Sequence, residues 1–438
     1  MLQLPIGKTL SILLIFWIAT IGSHAQVFIS RPSFQGVNGA EPHGPLVQGP
    51  NGNLYGTTLY GGSSFNSSNH DLGSGTIFEL TPSGKVITIY SFCSRLNGKI
   101  CADGASPASG LVLAKNRNFY GTTESGGAGN LGTFFEVTPT GKLTTLYSFC
   151  LTSSCPDGLL PNGLVQGANG NFYGTAEDGG AYGYGTVFMI TPSGKLTVLH
   201  SFDYTHDGAN PVARLLRASN GNFYGTAANG GGNNNCIFEC GTVFEITPTG
   251  DFRTVYSFCP VTSCADGATP ESPLTQGSDG NLYGTTVQGG TQSEGAAFKL
   301  TLDGQITTLY SFCSILGSHN ACLDGDFPGA GLVEGTDGNF YSTTESGGDL
   351  NGGTVFQLTP GGVLTVLHTF CPQRSCKDGS RPSSELIQAP NGNFYGTTET
   401  GGNNKDCPYL PDGHGCGVAF GLSFGLASSP DENTGSAR

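Results

Sequence analysis

The chain has 438 residues, of which only 11 % are charged, and its formal net charge at pH 7 is -14. Without a basic patch or stripe, such an acidic chain is a poor partner for nucleic acid or anionic membranes. So small a charged fraction fits a secreted domain with a surface of Thr, Ser and Asn.

Residues 1–25 have the pattern of a signal peptide. Lys8 precedes an apolar stretch from Leu10 to Ile21, and the small residues around Ala25 form a cleavage site. The apolar stretch is too short to predict a membrane span. We therefore expect cleavage before Gln26 and a mature chain that is secreted or periplasmic, without a membrane span.

From residue 26 onward the chain repeats one unit. The phrase Asn-Leu/Phe-Tyr-Gly-Thr recurs with small variations, and successive copies lie 51 to 65 residues apart. Such a period indicates a tandem array of one supersecondary unit. Its tyrosines are Tyr55, Tyr120, Tyr173, Tyr224, Tyr283, Tyr341 and Tyr395.

Each unit predicts four short β-strands. Apolar runs of four to seven residues, rich in Val, Ile, Leu, Phe, Tyr and Thr, are bounded by Gly, Pro, Asn or Asp. Asn-Gly and Asp-Gly pairs predict hairpin turns, and Thr-Pro-Ser/Thr-Gly predicts a second type of tight turn. No helical apolar period occurs outside the N-terminus, so the predicted class is all-β.

The arrangement of the units favours a seven-bladed β-propeller over a β-solenoid, whose coils are usually shorter. The chain opens at 27–49 with the second half of a unit and closes at 417–423 with the first half. This offset lets the N-terminal strand complete the last blade and close the ring. We predict a propeller over residues 26–425, followed by a polar, disordered tail at 426–438.

The repeat resembles a known family. Gly185-Thr-Val-Phe-Met-Ile-Thr-Pro-Ser-Gly194, Asp207-Gly-Ala-Asn-Pro211 and Asn222-Phe-Tyr-Gly-Thr226 look like the GloVer tandem repeat of bacterial extracellular choice-of-anchor repeat proteins. The resemblance covers about residues 27 to 425 and implies a secreted or surface propeller. Because the C-terminal residues are polar and lack a hydrophobic stretch, we expect release or a periplasmic location rather than anchoring.

All fourteen cysteines fall into seven pairs that are close in sequence. The repeat at Ser201 to Asp207 lacks both cysteines of its pair, as expected if the two cysteines form a disulfide. Export supplies the oxidising setting that disulfides require. Zinc is the alternative, but each pair offers only two sulfurs without a companion ligand. The predicted disulfides are Cys93–Cys101, Cys150–Cys155, Cys236–Cys240, Cys259–Cys264, Cys313–Cys322, Cys371–Cys376 and Cys407–Cys416.

One face of the ring is predicted to carry the variable loops. If the Leu-Val-Gln-Gly strand is innermost, the inter-blade crossovers and the Gly-Gly loops emerge together, and these carry every cysteine pair. The loops after Gly62 and Gly402 are long and belong to neighbouring blades. Since loops on a rigid scaffold often carry function, we expect a binding site on this face.

Two sets of carboxylates are candidate binding residues. The first set is an aspartate that precedes glycine in six of the crossovers, with Asn38 at the same position in the seventh. Its recurrence needs no function if each side chain hydrogen-bonds its own turn. The other lies at the ends of the Tyr-Gly-Thr strands, and together the sets could form a carboxylate ring that binds calcium. The sets are Asp103, Asp157, Asp207, Asp266, Asp324 and Asp378, and Glu124, Glu177, Glu345 and Glu399.

The remaining conspicuous residues have structural explanations. The repeated tyrosines could stack on sugars, but recurrence once per unit favours packing between blades. His200 and His368 occupy a position that is tyrosine in other units and are interpreted as packing substitutes. No nucleophile elbow, phosphate loop or pair of histidines with metal-ligand spacing is found.

Two functional hypotheses remain. The favoured one is a non-enzymatic, monomeric extracellular binding or scaffold module that uses its loop-rich face and needs no cofactor, with a glycan or a protein as ligand. The other is a secreted polysaccharide hydrolase or lyase that uses acidic residues of the same face. We favour binding because the units differ in loop length and cysteine content rather than in a set of acid and base residues.

Overall fold

The computed structural model describes residues 26–66, 72–232, 240–373, 375–403, 407 and 415–424. Seven four-stranded antiparallel sheets form a seven-bladed propeller, as predicted. Within these residues the structure also has a two-stranded hairpin and a 3-10 turn at Ser318–Asn320, and no helix is long and apolar enough to cross a membrane. The predicted signal peptide and the tail 426–438 lie outside the described residues.

The strands of each blade follow one another from the channel outward. Blade 1 consists of β2 Val47–Gln48, β3 Leu54–Thr58, β4 Thr76–Leu80 and β5 Val86–Ser91. Blade 2 consists of β8 Val112–Leu113, β9 Phe119–Thr123, β10 Thr133–Val137 and β11 Leu143–Ser148. Blade 3 consists of β12 Leu159–Gln166, β13 Phe172–Asp178, β14 Thr186–Ile190 and β15 Leu196–Ser201. Blades 4 and 5 consist of β16 Leu216–Arg217, β17 Phe223–Ala227, β18 Thr242–Ile246 and β19 Phe252–Ser257; and β20 Thr275–Gln276, β21 Leu282–Thr286, β22 Ala296–Leu300 and β23 Ile306–Ser311. Blades 6 and 7 consist of β24 Val333–Glu334, β25 Phe340–Thr344, β26 Thr354–Leu358 and β27 Leu364–Thr369; and β28 Ile387–Gln388, β29 Phe394–Thr398, β30 Val418–Phe424 and β1 Gln26–Ser33. The hairpin between blades 1 and 2 is formed by β6 Leu96–Asn97 and β7 Ile100–Cys101.

The N-terminal strand closes the ring, as the offset of the repeats predicts. β1 pairs antiparallel with β30, with register partners that run from Gln26 and Phe424 to Ser33 and Val418. The seventh blade is thus built from both ends of the described chain. Because the two ends share one sheet, opening the ring requires breaking this ladder, which couples the stability of the first and last repeats.

The Tyr-Gly-Thr motif joins each blade to the next. In blade 3 the ring of Tyr173 stacks on Phe223 of blade 4 with centroids 4.1 Å apart, and the hydroxyl of Thr175 donates to the carbonyl of Ala213 at 3.0 Å. The same hydroxyl contact closes the ring, from Thr397 of blade 7 to the carbonyl of Pro42 at 3.3 Å. Six of the seven motif tyrosines are buried and Tyr395 is partly buried, so the interpretation as core residues is confirmed.

The glycine of the motif makes room for the core of its own blade. A Cβ atom on Gly225 would lie 2.5 Å from the ring of Phe244 and 2.7 Å from Leu215. These distances are too short for any side chain, so the apolar residues of the inner and third strands meet across this glycine. Glycine stands at this position in six blades and the small, buried Ser342 in blade 6, so core packing explains the recurrence of a small residue here without a function.

Six of the predicted disulfides are present. They are Cys93–Cys101, Cys150–Cys155, Cys259–Cys264, Cys313–Cys322, Cys371–Cys376 and Cys407–Cys416. The seventh prediction involves Cys236, which lies outside the described residues. The first five bridges staple crossover loops and the last staples the Gly-Gly loop of blade 7. This density of disulfides indicates a protein that folds in an oxidising compartment, secreted or extracellular.

The two histidines of the outer strands pack as predicted. His200 stacks on Phe252 with ring centroids 3.7 Å apart, and His368 stacks on Phe28 at 3.6 Å. Each contact crosses from one blade to the next. The histidines therefore take over the packing role that tyrosine has in the other blades.

Candidate functional site at the mouth of the channel

The crossovers and the Gly-Gly loops lie on one face of the ring. Isolated bridges join the two loop types within a blade, as between Ala105 and Ser125 or Ala209 and Asn229. Phe65 of the long loop in blade 1 packs on the same hydrophobic cluster to which Cys407 and Cys416 of the long loop in blade 7 belong. This loop-rich face surrounds one end of the central channel.

The six predicted aspartates point away from the channel. Each carboxylate bonds the tyrosine or histidine of an outer strand and accepts backbone N–H groups of the crossover. The phenol of Tyr90, for example, donates to Asp103 at 2.6 Å, and burial together with this bond raises the tyrosine pKa to about 12. The pairs are Tyr90–Asp103, Tyr147–Asp157, His200–Asp207, Tyr256–Asp266, Tyr310–Asp324 and His368–Asp378.

The four predicted glutamates do come together. Glu124, Glu177, Glu345 and Glu399 line a cavity of about 440 Å³ at the loop-rich end of the channel, which we call the mouth. Loops of all seven blades contribute to its wall, and none of the six aspartates does. The glutamates stand at one repeat position, which in blades 1, 4 and 5 is Leu59, Ala228 and Val287.

A strained crossover residue positions these glutamates. The residue before each crossover proline has a positive φ, for example 55° at Ser106 and 58° at Arg381, a conformation that is costly for non-glycine residues. Its carbonyl then accepts the backbone N–H of the mouth residue, as from Glu124 to Ser106 at 3.1 Å. The same bond joins Glu399 to Arg381 at 3.0 Å. The strain thus fixes the backbone from which each mouth side chain projects.

On the side of blades 6 and 7, Arg381 partly neutralises the carboxylates of the mouth. Arg381 forms an ion pair with Glu345, and its Nε atom lies 3.5 Å from Glu399 Oε2. Nε2 of His43 lies 3.4 Å from Glu399 Oε1. The carboxylates on this side therefore have compensating charge before any ligand is present.

On the side of blades 2 and 3, the carboxylates lack such partners. Neither Glu124 nor Glu177 makes a side-chain hydrogen bond or an ion pair within the described part of the chain. Burial raises the pKa of Glu124, and nearby His43 opposes this effect. Burial also raises the pKa of Glu177, and repulsion from Asp178 and Glu124 adds to it. These two carboxylates carry a desolvation cost that a bound hydrogen-bond donor would relieve.

An ion pair crosses the channel below the mouth. Arg214 of blade 4 donates to Glu385 of blade 7 through Nη2 at 2.7 and 2.8 Å and through Nε at 3.1 Å. Both residues line the mouth and also the remaining channel, a cavity of about 690 Å³. Glu385 keeps only 8 % of its side-chain surface exposed. The pair therefore separates the mouth from the rest of the channel.

Sequence reasoning missed this pair, although a signal was present. The repeat position of Arg214 and Glu385 is Pro45, Pro273 or glycine in the other five blades. Two long, oppositely charged residues at a position otherwise reserved for glycine and proline mark a departure from the repeat. What the pattern could not show is that blades 4 and 7 face each other across the channel.

The described residues include no group of three or more His, Cys, Asp or Glu side chains arranged to hold a metal ion. The aspartate carboxylates are occupied by tyrosine, histidine and backbone donors.

Fold and site together define a disulfide-stapled, seven-bladed propeller with a ligand-sized, asymmetrically charged cavity at one end of its channel. The model of the Gloeobacter/Verrucomicrobia repeat matches residues 64–277, 147–321 and 261–408, which together span more than half of the chain. The chain therefore belongs to this repeat family, which confirms the resemblance seen in the sequence. No curated protein sequence matches the chain.

Several solved structures are similar to the chain at low identity. A protein described as the extracellular domain of a hybrid two-component system from B. thetaiotaomicron has a TM-score of 0.50 at 14 % identity, over 90 % of this chain and 40 % of that one. A gluconolactonase from Xanthomonas campestris has a TM-score of 0.40 at 10 % identity, over 78 % of this chain and 95 % of that one. A PQQ-bound aldose sugar dehydrogenase from Streptomyces coelicolor has a TM-score of 0.42 at 10 % identity, over 72 % and 93 %. At these identities the likeness concerns the fold alone.

Proposed function

We propose that this protein is an exported binding module that holds a small polar ligand in the mouth of its channel. The observation that carries the proposal is the charge asymmetry of the mouth. Glu124 and Glu177 lack partners on one side, whereas Arg381 partly neutralises Glu345 and Glu399 on the other. A ligand rich in hydroxyl or ammonium donors satisfies the unpaired carboxylates and relieves their desolvation.

The size and the rigidity of the mouth support this assignment. A cavity of about 440 Å³ falls in the range of small-ligand sites, which is roughly 300 to 1,000 Å³. Its wall consists of crossover loops held by strained backbone, disulfides and inter-blade hydrogen bonds. Such a wall is largely formed before the ligand arrives, which lowers the entropy lost on binding. Anionic ligands are disfavoured because the unpaired carboxylates repel them.

The cellular setting belongs to the same proposal. The N-terminal segment with its predicted cleavage before Gln26 directs export, and the disulfides then form outside the cytoplasm. We expect the mature protein to be released or periplasmic and to act as a monomer. N-terminal sequencing of the exported protein tests the cleavage site, and a mature chain that begins elsewhere than Gln26 contradicts it.

The test is a binding assay with matched charge variants. Neutral disaccharides and putrescine are titrated into the unaltered chain and into E124Q, E177Q and D349N. Asp349 is an exposed loop residue that does not line the mouth, so D349N makes the same change of charge as E124Q. We expect E124Q and E177Q to lose about tenfold or more in affinity, because each removes a charge-assisted hydrogen bond. D349N should bind as the unaltered chain does.

The pH dependence of binding provides a second check. Ionised Glu124 and Glu177 are the better acceptors, and burial raises the pKa of both. Binding should therefore weaken as the pH falls through these raised values, and this dependence should flatten in E124Q and E177Q. Binding that is equally strong in both variants and at acidic pH would contradict the assignment of the mouth.

A second candidate function is polysaccharide hydrolysis or elimination at the same place. Glu124 and Glu177 come from neighbouring blades, repel each other, and have pKa values raised by burial, as a general acid requires. Reducing-sugar release from a panel of soluble polysaccharides tests this function. Release that E124Q and E177Q each abolish would favour catalysis over binding.

A further inference from the structure

A group of exposed tyrosines stands on the loop-rich face, outside the residues that line the mouth. Tyr182 and Tyr184 lie in the Gly-Gly loop of blade 3, and Tyr204 lies in the crossover from blade 3 to blade 4. Their relative exposures are 65 %, 41 % and 43 %, and the rings of Tyr184 and Tyr204 lie 5.2 Å apart at 42°. We call these three residues the tyrosine shelf. Single exposed apolar residues are ordinary, but three clustered aromatics on one pair of loops are not.

Tyr204 lies in one of the two crossovers that lack a cysteine pair, and the other is the crossover at 34–41 between blades 7 and 1. In place of a disulfide, Asp203 accepts the backbone N–H of His206 at 2.8 Å and contacts its ring Nδ1 at 2.7 Å. The backbone N–H of Tyr204 also donates to the carbonyl of Gly208 at 3.0 Å. These bonds hold the loop so that the ring of Tyr204 projects outward beside Tyr184.

Hydrogen bonds connect the shelf to the mouth. The backbone N–H of Asn210 donates to the carbonyl of Tyr184 at 3.0 Å, and its side-chain amide donates to Asp178 at 2.9 Å. Asp178 follows Glu177 in β13, and Glu177 lines the mouth on the side of the unpaired carboxylates. Aromatic rings, amides and carboxylates thus follow one another from the rim of blade 3 into the cavity.

We propose that the tyrosine shelf binds a sugar ring of a neutral oligosaccharide whose end lies in the mouth. Pyranose rings have apolar C–H faces that pack on aromatic planes and a rim of hydroxyls that donates to amide and carboxylate oxygens. The shelf offers two such planes, and the carboxylates of Asp178 and Glu177 offer acceptors on the path to the mouth. This inference rests on the proposed function and names its ligand class.

Two other ligand classes fit the shelf less well. A folded protein partner needs roughly 800 Å² of its own surface buried, far more than three tyrosines on two loops provide. Acidic polysaccharides are repelled by the carboxylates of the mouth and by the acidic chain, whose formal charge is -14. A neutral saccharide meets neither objection, because it is narrow, carries no charge and has both apolar and donor surfaces.

The experiment compares short and long saccharides on the full chain. The di- and hexasaccharides of β-1,4-glucose, β-1,4-xylose, β-1,3-glucose and α-1,4-glucose are titrated by calorimetry. If the proposal is right, a disaccharide occupies only the mouth, whereas a hexasaccharide extends from the mouth to the shelf. We expect at least one hexasaccharide to bind about tenfold more tightly than its disaccharide, because stacking adds to the mouth contacts.

The variants assign this difference to the shelf. Y184A combined with Y204N, in which asparagine tolerates the positive φ of 67° at residue 204, should remove the advantage of the hexasaccharide and leave disaccharide binding unchanged. Y184F keeps the aromatic plane and should bind as the unaltered chain does. L151A removes an exposed side chain from the disulfide-bonded crossover between blades 2 and 3 and should change nothing.

The outcomes separate the two proposals. A hexasaccharide affinity that is the same in the tyrosine variants overturns the shelf, even if E124Q and E177Q lower disaccharide affinity. Absence of binding to every hexasaccharide in the panel also overturns it. Hexasaccharide binding that depends on the tyrosines, together with disaccharide binding that is unaffected by E124Q and E177Q, supports the shelf and rejects the mouth.

Discussion

The replacement of Asp326 by alanine should stabilise this protein above neutral pH and have no effect in acid. Asp326 stands at a crossover position that is alanine in four of the other blades, as at Ala268 of blade 5. Its Oδ1 atom is buried without a hydrogen-bond partner among the described residues. Burial, with repulsion from nearby carboxylates, raises the pKa of Asp326 from 3.8 to about 6.

The magnitude follows from this pKa. In the folded state the carboxyl keeps its proton up to about pH 6, whereas in the unfolded chain it ionises near its ordinary pKa of 3.8. Since each pKa unit corresponds to about 1.36 kcal/mol, ionised Asp326 lowers the free energy of unfolding by up to about 3 kcal/mol above pH 6. Because the side chain keeps part of its surface in water, we expect D326A to recover about 1 to 3 kcal/mol. Below the unfolded pKa both states are protonated, so the gain should vanish there.

The assay is urea unfolding at about pH 8 and about pH 4, followed by circular dichroism with the disulfides intact. Comparison of D326A with the unaltered chain at each pH removes the effects of all other carboxylates. The reverse variant A268D places a carboxylate at the equivalent buried position, where Ala268 is 4 % exposed, and should be destabilised near pH 8 only. A gain in D326A that is equal at both pH values, or a loss near pH 8, would refute the reasoning.

Three further predictions concern the ion pair in the channel, one disulfide and one tyrosine of the core. R214A should cost about 3 kcal/mol in urea unfolding because it leaves the buried carboxylate of Glu385 unpaired, and E385A should cost less because Arg214 keeps 30 % of its side-chain surface exposed. The double variant should cost about 2 kcal/mol less than the sum of the two losses; additive losses would show that the cross-channel pair is uncoupled. Replacing Cys371 and Cys376 together by alanine should lower the free energy of unfolding by no more than about 3 kcal/mol, since the bridge spans a sequence separation of only 5. Loss of the fold when this one bridge is removed would contradict the prediction. Y224F should cost about 1 kcal/mol, because the hydroxyl that donates to a buried glutamate at 2.8 Å is lost; a thermal scan with an unchanged midpoint would reject this role.

Much of the fold is readable from the repeat because its determinants are local. Short apolar runs, Asn-Gly turns and a fixed period predict the strands, and the offset at the two ends predicts that β1 completes the blade of β30. The cysteines pair over separations of 5 to 9 residues, so their partners are evident without a structure. In each of these features the residues that interact are neighbours in one unit or in equivalent units.

Part of the site can also be predicted from the sequence. The glutamates recur at one strand end, and this predicts correctly that Glu124 and Glu177 share the face of the crossovers. The sequence alone does not fix the direction of the aspartates, which could bond their own turn or face the channel. It depends on the outer strand, where a tyrosine such as Tyr310 offers a donor at 2.6 Å and draws Asp324 away from the cavity.

The other features of the site depend on closure of the ring. Arg214 and Glu385 are separated by 171 residues, and no local pattern relates them until blades 4 and 7 face each other across the channel. The difference between the two sides of the mouth, with Arg381 on one side and the unpaired Glu124 and Glu177 on the other, also depends on which blades are adjacent or opposite in the ring. The sequence by itself determined the repeated scaffold, whose contacts lie within a unit or between equivalent units. Only the tertiary structure decided which of the unrepeated charges meet, because that depends on distances across the closed ring.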